Sequence, residues 1–172
     1  KNSLSEDDHE QIRMIKDEIT NGNPEAAWQL IEKHNNPHIY EGLLEDCPVD
    51  ENGWVTVPIY LSENGNLFIK LLASLPETAQ VQPELKPLTM AGFENCQMSD
   101  GPALAELKQL TMLGLAINQI SDLSPLAEQT QIRWLDAYDN KISDASPLAK
   151  LTQLTWLRLT ANQLTDVSSL KG

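Results

Sequence analysis

Few side chains in this sequence have the type and spacing that chemistry requires. His34 and His38 are four residues apart, so one helix would place both imidazoles on the same face as metal ligands. The Asn35–Asn36 pair and Pro37 lie between them and disfavour that helix, and two histidines alone leave a coordination shell incomplete. We therefore expect no metal site at this position.

The acidic stretch before Gly53 has a faint calcium-loop pattern. Asp46, Asp50 and Asn52 carry oxygen ligands, but Pro48 occupies a position that needs a ligand, and the glutamate expected at the twelfth position is absent. A solvated turn is therefore the favoured interpretation.

Motifs of catalysis are absent from the sequence, which contains no G-x-S-x-G, no glycine-rich phosphate loop and no H-E-x-x-H. We expect no enzymatic activity and no cofactor in this chain. The alternative is catalysis in residues 1–75, or in a catalytic domain outside this chain for which it serves as a scaffold. The sequence has only two cysteines, Cys47 and Cys96, which is too few for a disulfide framework or a four-thiolate metal site. We expect two reduced, buried thiols, with a single disulfide as the alternative.

Charge narrows the class of partner. The net charge is −13, and residues 1–86 carry −10 of it. Nucleic acids and anionic membranes both require a basic face, so neither is an expected partner. No apolar run reaches the ~18 residues of a membrane span, so we expect no membrane insertion. The chain begins at Lys1 without a signal segment, which leaves its compartment open.

The elements that must position any functional side chain are repeats of 22 residues. Residues 109–130 read QLTMLGLAINQISDLSPLAEQT, and residues 131–152 read QIRWLDAYDNKISDASPLAKLT. Residues 87–108 match in the same register, and residues 153–172 begin a fourth period that ends two residues short. Four consecutive copies predict a solenoid domain over residues 87–172, after a different unit over residues 1–86.

The repeats have the leucine-rich repeat signature L-x-x-L-x-L-x-x-N/C-x-L, and the I-S-D-x-S-P-L-A segment resembles bacterial internalin-type repeats. The resemblance covers residues 87–172 only. The expected fold class is an α/β solenoid with a short parallel sheet on its concave face. If the parent protein is internalin-like, it acts at the cell surface or is secreted, with a cytoplasmic location as the alternative.

Within one coil, Leu113 and Leu115 should alternate inward along a short strand, and Ser124-Pro125 should cap a helical turn on the convex side. At the end of each strand, a polar side chain should turn inward and satisfy backbone groups of the turn. These positions predict a ladder between coils, formed by Cys96, Asn118, Asn140 and Asn162.

The first unit is predicted to be mainly helical. A capping box at Ser5 starts a helix that runs to Asn21-Gly22, and further helices are expected from Pro24 to about Lys33 and over residues 38–44. Alternation over residues 55–61 predicts a strand, and Asn64-Gly65 a hairpin turn. Residues 67–75 fit either helix or strand. The unit is a helical cap for the repeats or, alternatively, a small independent α+β domain.

The outward strand positions predict a binding surface. Outward residues that are 22 positions apart lie side by side on neighbouring strands and form columns across the sheet. These columns place exposed aromatic, methionine and charged side chains together, with Trp134 stacked on Trp156 and Asp136 paired with Arg158. Such side chains dominate protein-binding hot spots, so we expect a protein or peptide partner on this face. The alternative is that the aromatic residues shield the sheet or contact the first unit. The candidate residues are Met112, Trp134, Asp136, Tyr138, Trp156 and Arg158.

The last, incomplete period adds a second possible contact. Leu164, Val167 and Leu170 should lie open at the end of the stack. We expect this surface to be covered by further repeats of a longer protein or, alternatively, by self-association with a second copy.

Overall fold

The computed structural model describes residues 4–99 and 102–171, and its centre is one parallel sheet of five strands in chain order. The strands are only two or three residues long, as expected where each coil of a solenoid contributes one. They are β1 (Val55–Thr56), β2 (Met90–Gly92), β3 (Met112–Gly114), β4 (Trp134–Asp136) and β5 (Trp156–Arg158).

From β2 onward the register steps by 22 residues, which confirms the predicted leucine-rich repeat solenoid. Ala91, Leu113, Leu135 and Leu157 are aligned on the four neighbouring strands. The first three are fully buried, while Leu157 on the last strand is half-buried. Short 3-10 turns lie on the other side of this core, at Pro102–Glu106, Ser124–Leu126, Ser146–Lys150 and Ser168–Leu170.

The prediction that serine caps these turns is wrong. Ser124 lies inside its turn, and the acceptor is Asp122, whose Oδ1 receives the Ser124 N–H at 2.8 Å and whose Oδ2 receives the Ser124 hydroxyl at 2.7 Å. Asp144 and Asp166 repeat the arrangement with Ser146 and Ser168. These hydrogen bonds stabilise the carboxylates and lower the pKa of Asp144 and Asp166.

The helices of the first unit are α1 (Glu6–Thr20), α2 (Pro24–His34), α3 (Pro37–Leu44) and α4 (Gly65–Ala73). The capping box is present, because the Asp8 N–H donates to Ser5 Oγ and the Ser5 N–H donates to Asp8 Oδ2. Ile12, Ile15 and Ile19 form the buried stripe of α1, which packs against α2 and α3. The three helices predicted before residue 45 are thus confirmed.

Two predictions for residues 55–65 are wrong. The strand stops after Thr56, and a 3-10 turn follows Pro58, which has no N–H to continue a ladder. Asn64 and Gly65 do not form a hairpin but begin α4, so the ambiguous segment after them is helical. The Gly65 N–H donates to Cys96 O at 3.0 Å, and a Cβ at Gly65 would meet the Cys96 sulfur and Met98 Cγ.

The two halves of the chain share one sheet and one core. β1 pairs with β2 through Val55↔Ala91, so the first unit extends the sheet of the repeats by one strand. Phe68 of α4 contacts Phe93 of the first repeat edge to face, with ring centroids 5.9 Å apart, and both are fully buried. The open edge of the first repeat is therefore covered by residues of the first unit.

Candidate functional site

The outward column of the sheet contains two stacked indoles. The register aligns Met90, Met112, Trp134 and Trp156 on consecutive strands. The rings of Trp134 and Trp156 lie 4.6 Å apart at an interplanar angle of 7°, as expected for neighbours on parallel strands. Trp156 is 41% exposed, whereas Met112 and Trp134 are half-buried.

A third indole, which the sequence analysis did not select, completes this aromatic group. Trp54 contacts Trp134 edge to face, with centroids 5.4 Å apart at 84°. Three strand spacings of about 4.8 Å separate their backbones, so both rings lean across the strands between them. The alternation of Val55 and Val57 could have indicated this position of Trp54. Successive side chains of a strand point to opposite faces, so the residue before an inward-pointing valine points outward.

Beside the indoles, an ion pair between two neighbouring strands contacts an aromatic ring. Arg158 Nη1 lies 3.6 Å from Asp136 Oδ2, and the Arg158 guanidinium carbon lies 4.0 Å from the centre of the Tyr138 ring. Asp136 Oδ1 accepts the Tyr138 N–H at 3.0 Å. The expectation of an exposed Asp136 is wrong, because these contacts bury it to 6% exposure. Asp136 holds Tyr138 and Arg158 in place, while Arg158 is exposed.

A cavity of about 480 Å³ lies beside the indoles, between β1 and the first two repeats. Trp54 and Trp134 line it together with Gly92, Gly114 and Glu94. Asp50 and Cys96 also contribute to its walls. Burial raises the pKa of the Cys96 thiol to about 11, so the sulfur is protonated at neutral pH and is not a reactive thiolate.

Asparagine side chains hold the turns behind this surface. Asn140 Nδ2 donates to Leu115 O of the preceding coil at 2.9 Å, and Asn140 Oδ1 accepts the Ile120 N–H at 3.0 Å. Asn118 and Asn162 make the corresponding bonds to their preceding coils. At the first ladder position, the S–H group of Cys96 donates a hydrogen bond to Phe93 O at 3.0 Å.

Gln129, which replaces a leucine of the neighbouring repeats, is 1% exposed. Its Nε2 donates to Leu104 O and Ala105 O, both at 3.1 Å. Its Oε1 receives no hydrogen bond from the described residues. The amide therefore joins two consecutive turns but leaves one buried acceptor unpaired.

Two of the residues considered for metal binding, His38 and Asp50, are engaged in other contacts. His38 Nδ1 lies 2.9 Å from Glu41 Oε2, and this contact raises the pKa of His38. Asp50 Oδ1 accepts the N–H groups of Asn52 and Trp54, which makes the acidic stretch a turn. Within residues 4–99 and 102–171, no group of three His, Cys, Asp or Glu side chains is arranged to hold a metal ion. In the same residues, no helix has the length and hydropathy to cross a membrane.

Comparisons with known proteins agree with this architecture. A family model for leucine-rich repeats, covering two copies, matches residues 130–172. No curated protein sequence matches the chain.

Among solved structures, internalin C2 from Listeria monocytogenes superposes with a TM-score of 0.52 at 35% identity, over 64% of this chain and 52% of that one. Internalin F from the same organism gives 0.39 at 30% identity over 53% and 34% of the two chains. The ectodomain of the receptor kinase SOBIR1 from Arabidopsis thaliana gives 0.35 at 26% identity over 38% of each. The matched region thus spans about half the length of internalin C2.

Proposed function

We propose that this chain, which carries leucine-rich repeats of the bacterial internalin type, binds a protein or peptide partner with the concave face of those repeats. Leucine-rich repeat proteins in general use such concave surfaces to bind other proteins. The contacting side chains are those of Met112, Trp134, Tyr138, Trp156 and Arg158, and Asp136 acts by holding Tyr138 and Arg158. The observation that carries the proposal is the 41% exposure of Trp156 in an otherwise ordered aromatic array.

Rigidity favours binding at this surface. Trp156 is stacked on Trp134, and Arg158 is fixed between Asp136 and the Tyr138 ring. A partner therefore has little side-chain freedom to remove here, which lowers the entropic cost of association. Tryptophan, tyrosine and arginine are also the residues in which binding energy concentrates.

Shielding of the sheet, the alternative role for the aromatic residues, accounts for Trp134 better than for Trp156. Trp134 lies between two indoles, one of which belongs to the first unit. Among the described residues, Trp134 is the only indole that contacts Trp156, and Trp156 remains exposed. Trp156 is therefore the residue that separates binding from packing.

The test is the affinity of a captured partner for Trp156→Ala. The chain is immobilised, proteins that it retains are identified by mass spectrometry, and their dissociation constants are measured by calorimetry. We expect Trp156→Ala to weaken binding by about 30-fold or more, which corresponds to the ~2 kcal/mol of a hot-spot residue.

Lys150→Ala is the matched control, because Lys150 lies on a 3-10 turn away from the sheet and pairs with exposed Glu128 at 2.7 Å. Exposed pairs of this kind contribute little to stability, so the control variant should bind like the wild type. Equal affinity of the wild type and Trp156→Ala for every retained protein would refute the proposed function.

A further inference from the structure

The cavity beside the indoles differs from the neighbouring Asp136–Arg158 pair, since its aromatic walls lie beside carboxylates that pair with no basic side chain of the described residues. We propose that it receives the side chain of an arginine from the protein partner. This inference rests on the proposed function and specifies the chemistry of the partner residue at one place on the concave face.

Two indoles form adjacent walls of the cavity. Trp54 and Trp134 meet at 84°, so their rings form a corner. A guanidinium group that lies on one indole has its edge near the other ring, and tryptophan is the aromatic side chain that attracts cations most strongly. The same type of contact already occurs on this face, where Arg158 lies over Tyr138.

Two carboxylates lie at the same cavity, and no Lys, Arg or His side chain lines it. The carboxylate of Asp50 is fixed by hydrogen bonds of 2.8 and 2.9 Å from the N–H groups of Asn52 and Trp54, both to Oδ1. Within the described part of the chain, neither Asp50 nor Glu94 pairs with a basic side chain. With a net charge of −13, the whole chain also attracts a cationic partner over a longer range.

Glycines keep the cavity open. A Cβ on Gly114 would lie 3.5 Å from Gly92 Cα and 3.8 Å from Glu94 Oε1, and a Cβ on Gly92 would lie 3.6 Å from Thr56 Cγ2. These are ordinary contacts, and neither glycine has a positive φ, so the backbone tolerates a side chain at both positions. In the following repeats the aligned positions carry Asp136 and Arg158 instead of glycine.

Arginine matches this site better than lysine. Its planar guanidinium stacks on an indole and at the same time donates in-plane hydrogen bonds to carboxylates, whereas an ammonium group is a compact and strongly hydrated charge. Oδ2 of Asp50, which is an exposed residue, and the carboxylate of Glu94 are the acceptors that we assign to it.

The probe is the peptide acetyl-Gly-Arg-Gly-amide, titrated into the intact chain while the indole N–H signals are recorded by NMR. Its control is the same peptide with citrulline, which keeps the shape of arginine without the charge. We expect saturable shifts of the Trp54 and Trp134 signals with the arginine peptide, about fivefold or more weaker binding of the citrulline peptide, and an unchanged Trp28 signal. Equal binding of both peptides, or no shift at Trp54 and Trp134, would overturn the inference.

Two variants locate the binding. Glu94→Gln should weaken binding of the arginine peptide about fivefold. Glu25→Gln removes the same charge at an exposed position of α2 and should leave the affinity of the peptide unchanged. Gly114→Ala should weaken the peptide without unfolding the chain, because it narrows the cavity through ordinary contacts. Equal effects of Glu94→Gln and Glu25→Gln would show a general attraction to negative charge and would also overturn the inference.

The two proposals fail in different ways. If the captured partner loses affinity with Trp156→Ala but not with Glu94→Gln, and the arginine peptide does not bind, the arginine site is refuted and the proposed function stands. If the partner is insensitive to Trp156→Ala, the proposed function fails whatever the peptide does.

Discussion

Each coil has a residue in a left-handed backbone conformation directly before the ladder position, and the first coil has a second one, Gln97, directly after it. Asn95 has φ 48°, Ile117 58°, Asp139 53° and Ala161 57°. Asparagine and aspartate adopt this conformation at low cost, but a β-branched side chain there is strained. Ile117 is also 47% exposed, so little burial compensates for the strain.

Ile117→Asn should therefore stabilise the protein. The substitution introduces the residue type that the first repeat has at the same position, and we expect a gain of about 1 kcal/mol in the free energy of unfolding. Urea denaturation measures this gain. Ala161→Asn, at the equivalent position without a branched side chain, should gain less. Destabilisation by Ile117→Asn would show that the isoleucine side chain makes a contact that outweighs the backbone strain.

Individual residues were predictable where a repeat fixed their role. The inward leucines, the ladder asparagines and the stacked indoles all follow from one register, because a parallel sheet with a 22-residue step aligns equivalent positions. Trp54 was missed because it lies outside the repeats. The burial of Asp136 was also missed, since it depends on a hydrogen bond from Tyr138 and a partner on the next strand.

At the scale of elements, the ladder determines how firmly one coil holds the next. Asn140 is 7% exposed and bridges two coils, whereas Asn162 makes similar bonds in a half-buried position on the last coil. Water therefore reaches the backbone groups around Asn162 more easily than those around Asn140.

Asn140→Ala should lower the free energy of unfolding by about 2–3 kcal/mol, because it leaves the buried Ile120 N–H without its acceptor and removes one hydrogen bond to the Leu115 carbonyl, which keeps the one from Asn118 Nδ2. Asn162→Ala should cost about 1 kcal/mol, since water replaces part of the lost hydrogen bonding. Chemical denaturation of both variants makes the comparison. If Asn162→Ala cost as much as Asn140→Ala or more, the ladder would not be the element that joins the coils.

Helices with a clear start signal were predictable, and the segment between residues 55 and 75 was not. Alternating valines indicate a strand, but Pro58 ends it after two residues. Asn64-Gly65 is typical of a hairpin, yet the first turn of α4 needs a residue without a side chain because Gly65 lies against Cys96. This requirement comes from packing on the first repeat and has no local sequence signal.

At the scale of the whole molecule, the two halves that differ in charge and pattern fold into one structure. β1 continues the sheet of the repeats, α4 packs on the first repeat, and Trp54 from the first unit contacts Trp134 from the third coil. The solenoid was predictable from periodicity. The shared concave face was not, because a single strand of two residues joins the first unit to it.

Oxidative footprinting of the free chain and of its complex with the captured partner tests the binding face most directly. We expect lower oxidation of Trp156 and Tyr138 in the complex, and unchanged oxidation of Met14, which is 42% exposed on α1. Equal oxidation of Trp156 in both states, with protection elsewhere on the molecule, would contradict a partner site on the concave face.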